Sequence, residues 1–248
     1  MTGGPRLLGR IATAEGPRWV RPYGDRLIPV ADPFAAFAAG HRPADVGEAV
    51  DAPLIAPVDQ TVLVGIAQNG PEHVSPVQAW LKSPRTVVVG GAEVTLRRDA
   101  GAAVAEGEIA VVIGRATAGL TAGNAQEFVL GVTAVNDLSS PERVEFDPRN
   151  FESKSGEGYT PLGPWIDTEV GIDDVELSVA VDGRLVAETG SRSLPVPIRE
   201  CLAYVARWTP LGPGDVVMTG APHSQALVRP GQTVTITVAG IDLVTPFA

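Results

Sequence analysis

Short apolar runs broken by Gly and Pro outnumber segments of helical period along this chain, which predicts a protein built mainly of short strands. Ile109 to Ile113 reads as a buried strand ending at Gly114, and Val132 to Val135 as a second, suited to lie beside it. Thr61 to Ile66 forms a strand running into the turn signal Ala67-Gln68-Asn69-Gly70. Asp182-Gly183, between Leu177–Val181 and Leu185–Glu188, is the strongest hairpin signal in the chain, because both residues tolerate positive φ. Asp215–Thr219, Thr233–Val238 and Ile241–Val244 complete the strand set.

Helical period appears in fewer places. Pro197 to Trp208 carries Ile198, Cys201, Leu202 and Val205 on one face. Asp32 precedes Pro33 and the apolar stretch Phe34 to Ala39, a short helix with Pro at its first position. Asn124-Ala-Gln-Glu127 reads as a capping box that opens a helix to Leu130.

The first fifty-odd residues read as a small unit. Arg18–Pro22 and Arg26–Val30 form strands around the Tyr23-Gly24-Asp25 turn, and the polar stretch His41–Asp51 leads to Pro53 and Pro57 as a linker. The expected organisation is a small N-terminal domain (1–56) and a main domain (57–248) of β-rich α+β class. A hydrophobic content of 44% supplies a core for the 248 residues. A net charge of −10 argues against nucleic acid or an anionic membrane as the main partner. The single cysteine, Cys201, excludes an internal disulfide framework and fits a reducing cytoplasm. No apolar run reaches membrane-spanning length.

Chemistry concentrates at Glu106, Glu108, Asp137 and Lys154. Residues two apart on a strand share a face, so Glu106 and Glu108 point the same way. Carboxylates so placed repel each other unless a cation or a proton lies between them. With Asp137 at the end of the neighbouring run they form a hard oxygen ligand set suited to Mg²⁺, Mn²⁺ or Ca²⁺. Taken singly, the two glutamates also fit a solvated strand end and Asp137 an ordinary turn. Two lysines, Lys82 and Lys154, stand against seventeen arginines, and a retained lysine offers a compact charge that arginine does not. Gly156-Glu-Gly158 is not a dinucleotide fingerprint, and no Gly-x-Ser-x-Gly elbow is present. His41 reads as solvent-exposed, His223 as structural.

The order of EGEIAVVIG, VND, KSGEGYTPLGPW, LGPGDVVMTGAP and PGQTVTITVAGIDLV resembles the fumarylacetoacetate hydrolase family over residues 60 to 248. The resemblance implies layered, rolled β-sheets, a homodimer, one divalent metal per site, and small 2-oxo or β-dicarbonyl acid substrates. It matches Glu106, Glu108 and Asp137 to the metal ligands, and Lys154 to the lysine facing the substrate oxygen. Thr219 and Gly220 match a substrate-binding position, Lys82 a lysine at the pocket entrance, and His73 a histidine that activates water. Two positions depart from the pattern. Pro76 stands where a glutamate partners that histidine. Pro141 stands where an arginine contacts a substrate carboxylate, with Arg143 two residues further on. The leading expectation is hydrolytic C–C cleavage of a β-diketo or acylpyruvate-like acid. The alternatives are an isomerase, decarboxylase or hydratase on a related acid, and a non-catalytic paralogue.

Overall fold

The computed structural model describes residues 6–248. Its central element is the strand Ala103–Ile113, with side chains sorted by parity. Ala105, Ile109, Val111 and Ile113 join one core cluster, whereas Ala110 and Val112 join another on the opposite face. From Ile109 to Ile113 both faces are covered, so that run is apolar without a break, as expected for a strand buried on two sides. Val129–Asn136 pairs antiparallel with it, Gly107 opposite Asn136 and Glu108 opposite Val135.

These two strands are the middle of a large mixed sheet. On one side Ala103–Ile113 is followed by Val216–Met218, Leu63–Gln68 and Val77–Lys82. On the other, Val129–Asn136 is followed by Ile166–Asp167, Leu7–Thr13, Gly16–Tyr23 and Arg26–Pro29. A second, four-stranded antiparallel sheet comprises Glu176–Val181, Arg184–Gly190, Thr233–Val238 and Ile241–Pro246. The sheets meet face to face at Gly107, where an added Cβ would lie 2.6 Å from Val179 Cγ2. With helices Pro33–Ala38, Phe151–Lys154 and Ile198–Trp208, this is a β-rich α+β fold of layered sheets.

The two strands and the one helix expected at 16–39 are present. Asp32 Oδ1 accepts from the Phe34 amide at 2.8 Å, capping the first helix. The strand Leu7–Thr13 ahead of them is an addition to the expected set, and it ties the N-terminal segment into the large sheet. Leu8 pairs with Ile166, and the Arg6 guanidinium meets the buried Asp167 carboxylate at 2.7 Å. The Asp182-Gly183 turn has φ of 51° and 77°, matching the right-handed twist of the strands it joins. The capping box does not form. Asn124 Oδ1 instead accepts from the Thr121 amide at 2.7 Å, and only one 3-10 turn, Ala125–Phe128, separates it from the sheet. Val129 and Leu130 gain more by continuing the sheet than by extending a helix.

The helix Ile198–Trp208 buries Ile198, Cys201, Leu202 and Val205, as its period predicts. Burial pushes the Cys201 thiol up to about 12. Because the thiolate is the reactive form, Cys201 is expected to resist alkylation at pH 8 in the native protein and to react once unfolded. Mass spectrometry of iodoacetamide-treated samples measures this.

Candidate metal centre

Strand register builds the site. Glu106 and Glu108 occupy even positions of Ala103–Ile113 and so face away from the small sheet. The Asp137 amide donates to the Glu106 carbonyl at 2.9 Å, which sets the third carboxylate beside the first two. One oxygen from each of Glu106, Glu108 and Asp137 lies within 4.8 Å of the others.

Both lysines converge on Asp137. Lys154, in the last turn of Phe151–Lys154, places Nζ 2.7 Å from Asp137 Oδ2 and 2.7 Å from Glu106 Oε2. Lys82, at the end of Val77–Lys82, places Nζ 2.5 Å from Asp137 Oδ1 and 2.7 Å from the Tyr159 carbonyl. The Glu108 carboxylate accepts from the Gly220 amide at 2.6 Å, and Glu106 accepts from the Ser139 hydroxyl at 2.9 Å.

The electrostatics follow from burial and crowding. Burial, reinforced by the charges of Asp137 and Glu106, pushes the Glu108 carboxyl well above its usual range. Burial acts the same way on Asp137, but Lys154 and Lys82 outweigh it and hold that carboxyl below its usual range. Burial disfavours the charged form of Lys154, yet Asp137, Glu106 and Glu108 outweigh it and raise its pKa. For Lys82 burial prevails and lowers the pKa, against the pull of Asp137. A buried carboxylate pushed towards protonation by two others is a site short of positive charge, and the donors are hard oxygens. The triad therefore fits a divalent cation such as Mg²⁺.

Glu106, Ser139 and Lys154 open onto a cavity of about 270 Å³, whose wall also includes Trp80, Gln68, Asn150 and Gln225. The remaining expected site residues lie elsewhere. Lys82, expected at the entrance, is fully buried behind Asp137. The Thr219 hydroxyl is buried and donates to the Ile109 carbonyl at 3.0 Å. His73 is exposed on the Gly70–Pro76 turn, with Nδ1 2.9 Å from the Ser75 carbonyl. Arg143 pairs with Glu152, and its guanidinium lies 4.9 Å from the Phe146 ring centre. Neither His73 nor Arg143 lines the cavity.

Ser139 and Gln68 join the site without being among the expected residues. Alternation two residues past Asp137 was a usable signal for Ser139. For Gln68 there was none, because its amide reaches across the fold, donating to the Thr219 carbonyl at 3.0 Å and accepting from the Val196 amide at 2.9 Å. Gly220 has φ +88°, and an added Cβ would lie 2.8 Å from Gln68 Cγ and from the Ile66 carbonyl oxygen. Gly220→Ala is accordingly expected to cost about 1–3 kcal/mol of stability, seen by denaturant titration, and to weaken Mg²⁺ binding by displacing the amide that holds Glu108.

The chain belongs to the fumarylacetoacetate hydrolase family: the family model for the fumarylacetoacetate (FAA) hydrolase C-terminal region matches residues 56–246. The crystal structure of 5-carboxymethyl-2-hydroxymuconate delta-isomerase from Mycobacterium smegmatis superposes with a TM-score of 0.87 at 31% identity, covering 98% of this chain and 99% of that one. Protein Rv2993c of Mycobacterium tuberculosis is 28% identical over 256 residues, covering 96% of this chain and 96% of its own. Maleylpyruvate hydrolase of Aquipseudomonas alcaligenes is 27% identical over 246 residues, covering 96% of this chain and 81% of that enzyme.

Proposed function

We propose that this protein is a divalent-metal-dependent enzyme that binds a small 2-oxo or β-dicarbonyl acid, holds the negative charge of its enolate, and isomerises it. The observation that carries this reading is the buried triad of Glu106, Glu108 and Asp137 with the Lys154 ammonium on the cavity wall. Mg²⁺ is the proposed ion, with Mn²⁺ or Ca²⁺ as substitutes, and bound there it would supply Lewis acidity towards substrate oxygens. The chain contributes the rest. Lys154 stays protonated and brings a fixed positive charge to where an oxyanion develops. Gly220 and Ser139 fix the glutamates, so little reorganisation accompanies the reaction.

Isomerisation asks that one proton leave the substrate, that the enolate so formed be held, and that a proton return at carbon, whereas hydrolysis also needs an activated water. His73, the expected water-activating group, is turned onto the backbone of Ser75. Hydrolytic C–C cleavage is kept as a second reading on the strength of the similarity to maleylpyruvate hydrolase. In that reading His73 turns into the cavity. A homodimer in the cytoplasm, with residues 1–56 as a small domain on the catalytic 57–248, is the working assembly.

Incubation with Mg²⁺ and a 2,4-dioxo acid distinguishes the two. Faster keto–enol interconversion, followed by ultraviolet absorbance with no fragments in the NMR spectrum, supports isomerisation. Two carboxylic fragments establish hydrolysis. An interconversion rate indifferent to both enzyme and Mg²⁺ sinks the enolate reading.

A further inference from the structure

We infer that the site selects acids with one carboxylate and an uncharged tail, and discriminates against substrates carrying a second carboxylate at the far end; this rests on the enolate reading above. The first argument is a charge balance. Counted with every group ionised, three carboxylates at the site face two ammonium groups, a formal charge of one negative. A divalent cation reverses that to one positive charge, which the substrate's head carboxylate and its developing enolate already take up in full. A second carboxylate would have no counter-charge, and a desolvated anion without a partner is costly.

The second argument is the wall of the cavity. Among its described residues, Lys154 is the only cationic side chain, and it is engaged by Glu106 and Asp137. The cations that adjoin cavity segments in sequence, Arg143, Arg149 and His223, are not among the residues that line it, and Arg143 is held by Glu152 and the Phe146 ring. Away from the carboxylates the wall offers Pro141, Val144 and Pro222 as apolar contacts and the side-chain amides of Asn150 and Gln225. Neither amide has a hydrogen-bond partner within the described chain, so both are available to a carbonyl or hydroxyl on a neutral tail. A cavity of about 270 Å³ suits an acid of this modest size.

The test is equilibrium binding to the full chain loaded with Mg²⁺, comparing 2,4-dioxoheptanoate with 2,4-dioxoheptanedioate. These share the dioxo-acid head and differ by the terminal carboxylate. The monoacid is expected to bind at least about tenfold more tightly. Gln225→Arg, which adds a cation at the exposed rim, is expected to shrink or reverse that ratio. Equal or tighter binding of the diacid by the unaltered protein overturns the inference while leaving the enolate reading in place. A ratio that Gln225→Arg leaves unchanged also overturns it, because tail charge would then not be what the wall reads. If neither acid binds in the presence of Mg²⁺, the enolate reading falls and takes this inference with it.

Discussion

Asp137→Asn is expected to remove the stabilisation of the protein by Mg²⁺, to lower turnover by about a hundredfold or more, and to cost roughly 3–5 kcal/mol of stability in the metal-free state. The side chain has no exposure and satisfies two ammonium groups, so the amide leaves Lys82 and Lys154 buried beside a neutral oxygen. The pH dependence has a definite sign. The folded carboxyl lies below its unfolded value, so its stabilisation is fully present above an unfolded pKa of about 3.9 and is lost as the pH falls through the folded value. The variant should lack that acid limb. Thermal denaturation with and without Mg²⁺, across pH, reads all three effects. Should the variant be too unstable to study, Glu106→Gln offers a milder change. Its side chain is 15% exposed and would keep an oxygen for the Ser139 hydroxyl. A Mg²⁺ response that survives both substitutions would end the metal reading.

Lys154→Met is expected to lower kcat by about 10²–10³ while leaving Mg²⁺ binding intact or tighter. Nζ lies 2.7 Å from carboxylates of two proposed ligands, so its removal deepens the negative potential a cation meets. The metal-free variant should lose stability, because Glu106 and part of Asp137 lose their counter-charge, and saturating Mg²⁺ should restore most of it. Calorimetric titration with Mg²⁺ and steady-state kinetics separate the two effects. An unchanged kcat would remove Lys154 from the chemistry, and a lost Mg²⁺ affinity would make it a support for the metal site instead.

Local rules carried much of the fold into view. The period of Ile198–Trp208, the Asp182-Gly183 turn and the short helix that opens at Pro33 each depend on residues a few positions apart, and all three form as expected. The glutamates were legible for the same reason, since period two alone places Glu106 and Glu108 together. Scarcity was a second signal: in a chain with two lysines, both are found against one aspartate. What stayed hidden depends on distance along the chain. Leu7–Thr13 is a strand because Ile166–Asp167 and Gly16–Tyr23 flank it, and Gln68 matters because Val196 and Thr219 arrive beside it. Lys82 was expected at the entrance, yet the turn of Val77–Lys82 against Leu63–Gln68 buries its head beneath the triad. His73 and Arg143 have short-range partners, Ser75 and Glu152, that a reading confined to motif order does not weigh.

The pairing of Gly107 with Asn136 makes the architecture unequal in what it forgives. A single residue inserted between 104 and 112 would turn Glu106 or Glu108 over to the side packed against Val179 and Ile236, so one event would destroy both ligation and core. The connection from Gly114 to Asn124 is anchored by Thr117 to Leu211 and by Ala122 to Arg199, but Ala118 and Gly119 between them are exposed, and additions there leave the register untouched. That loop is where this protein can accept a graft, a tag or a new recognition segment, and the paired strands are where its lineage can accept substitutions but not changes of length.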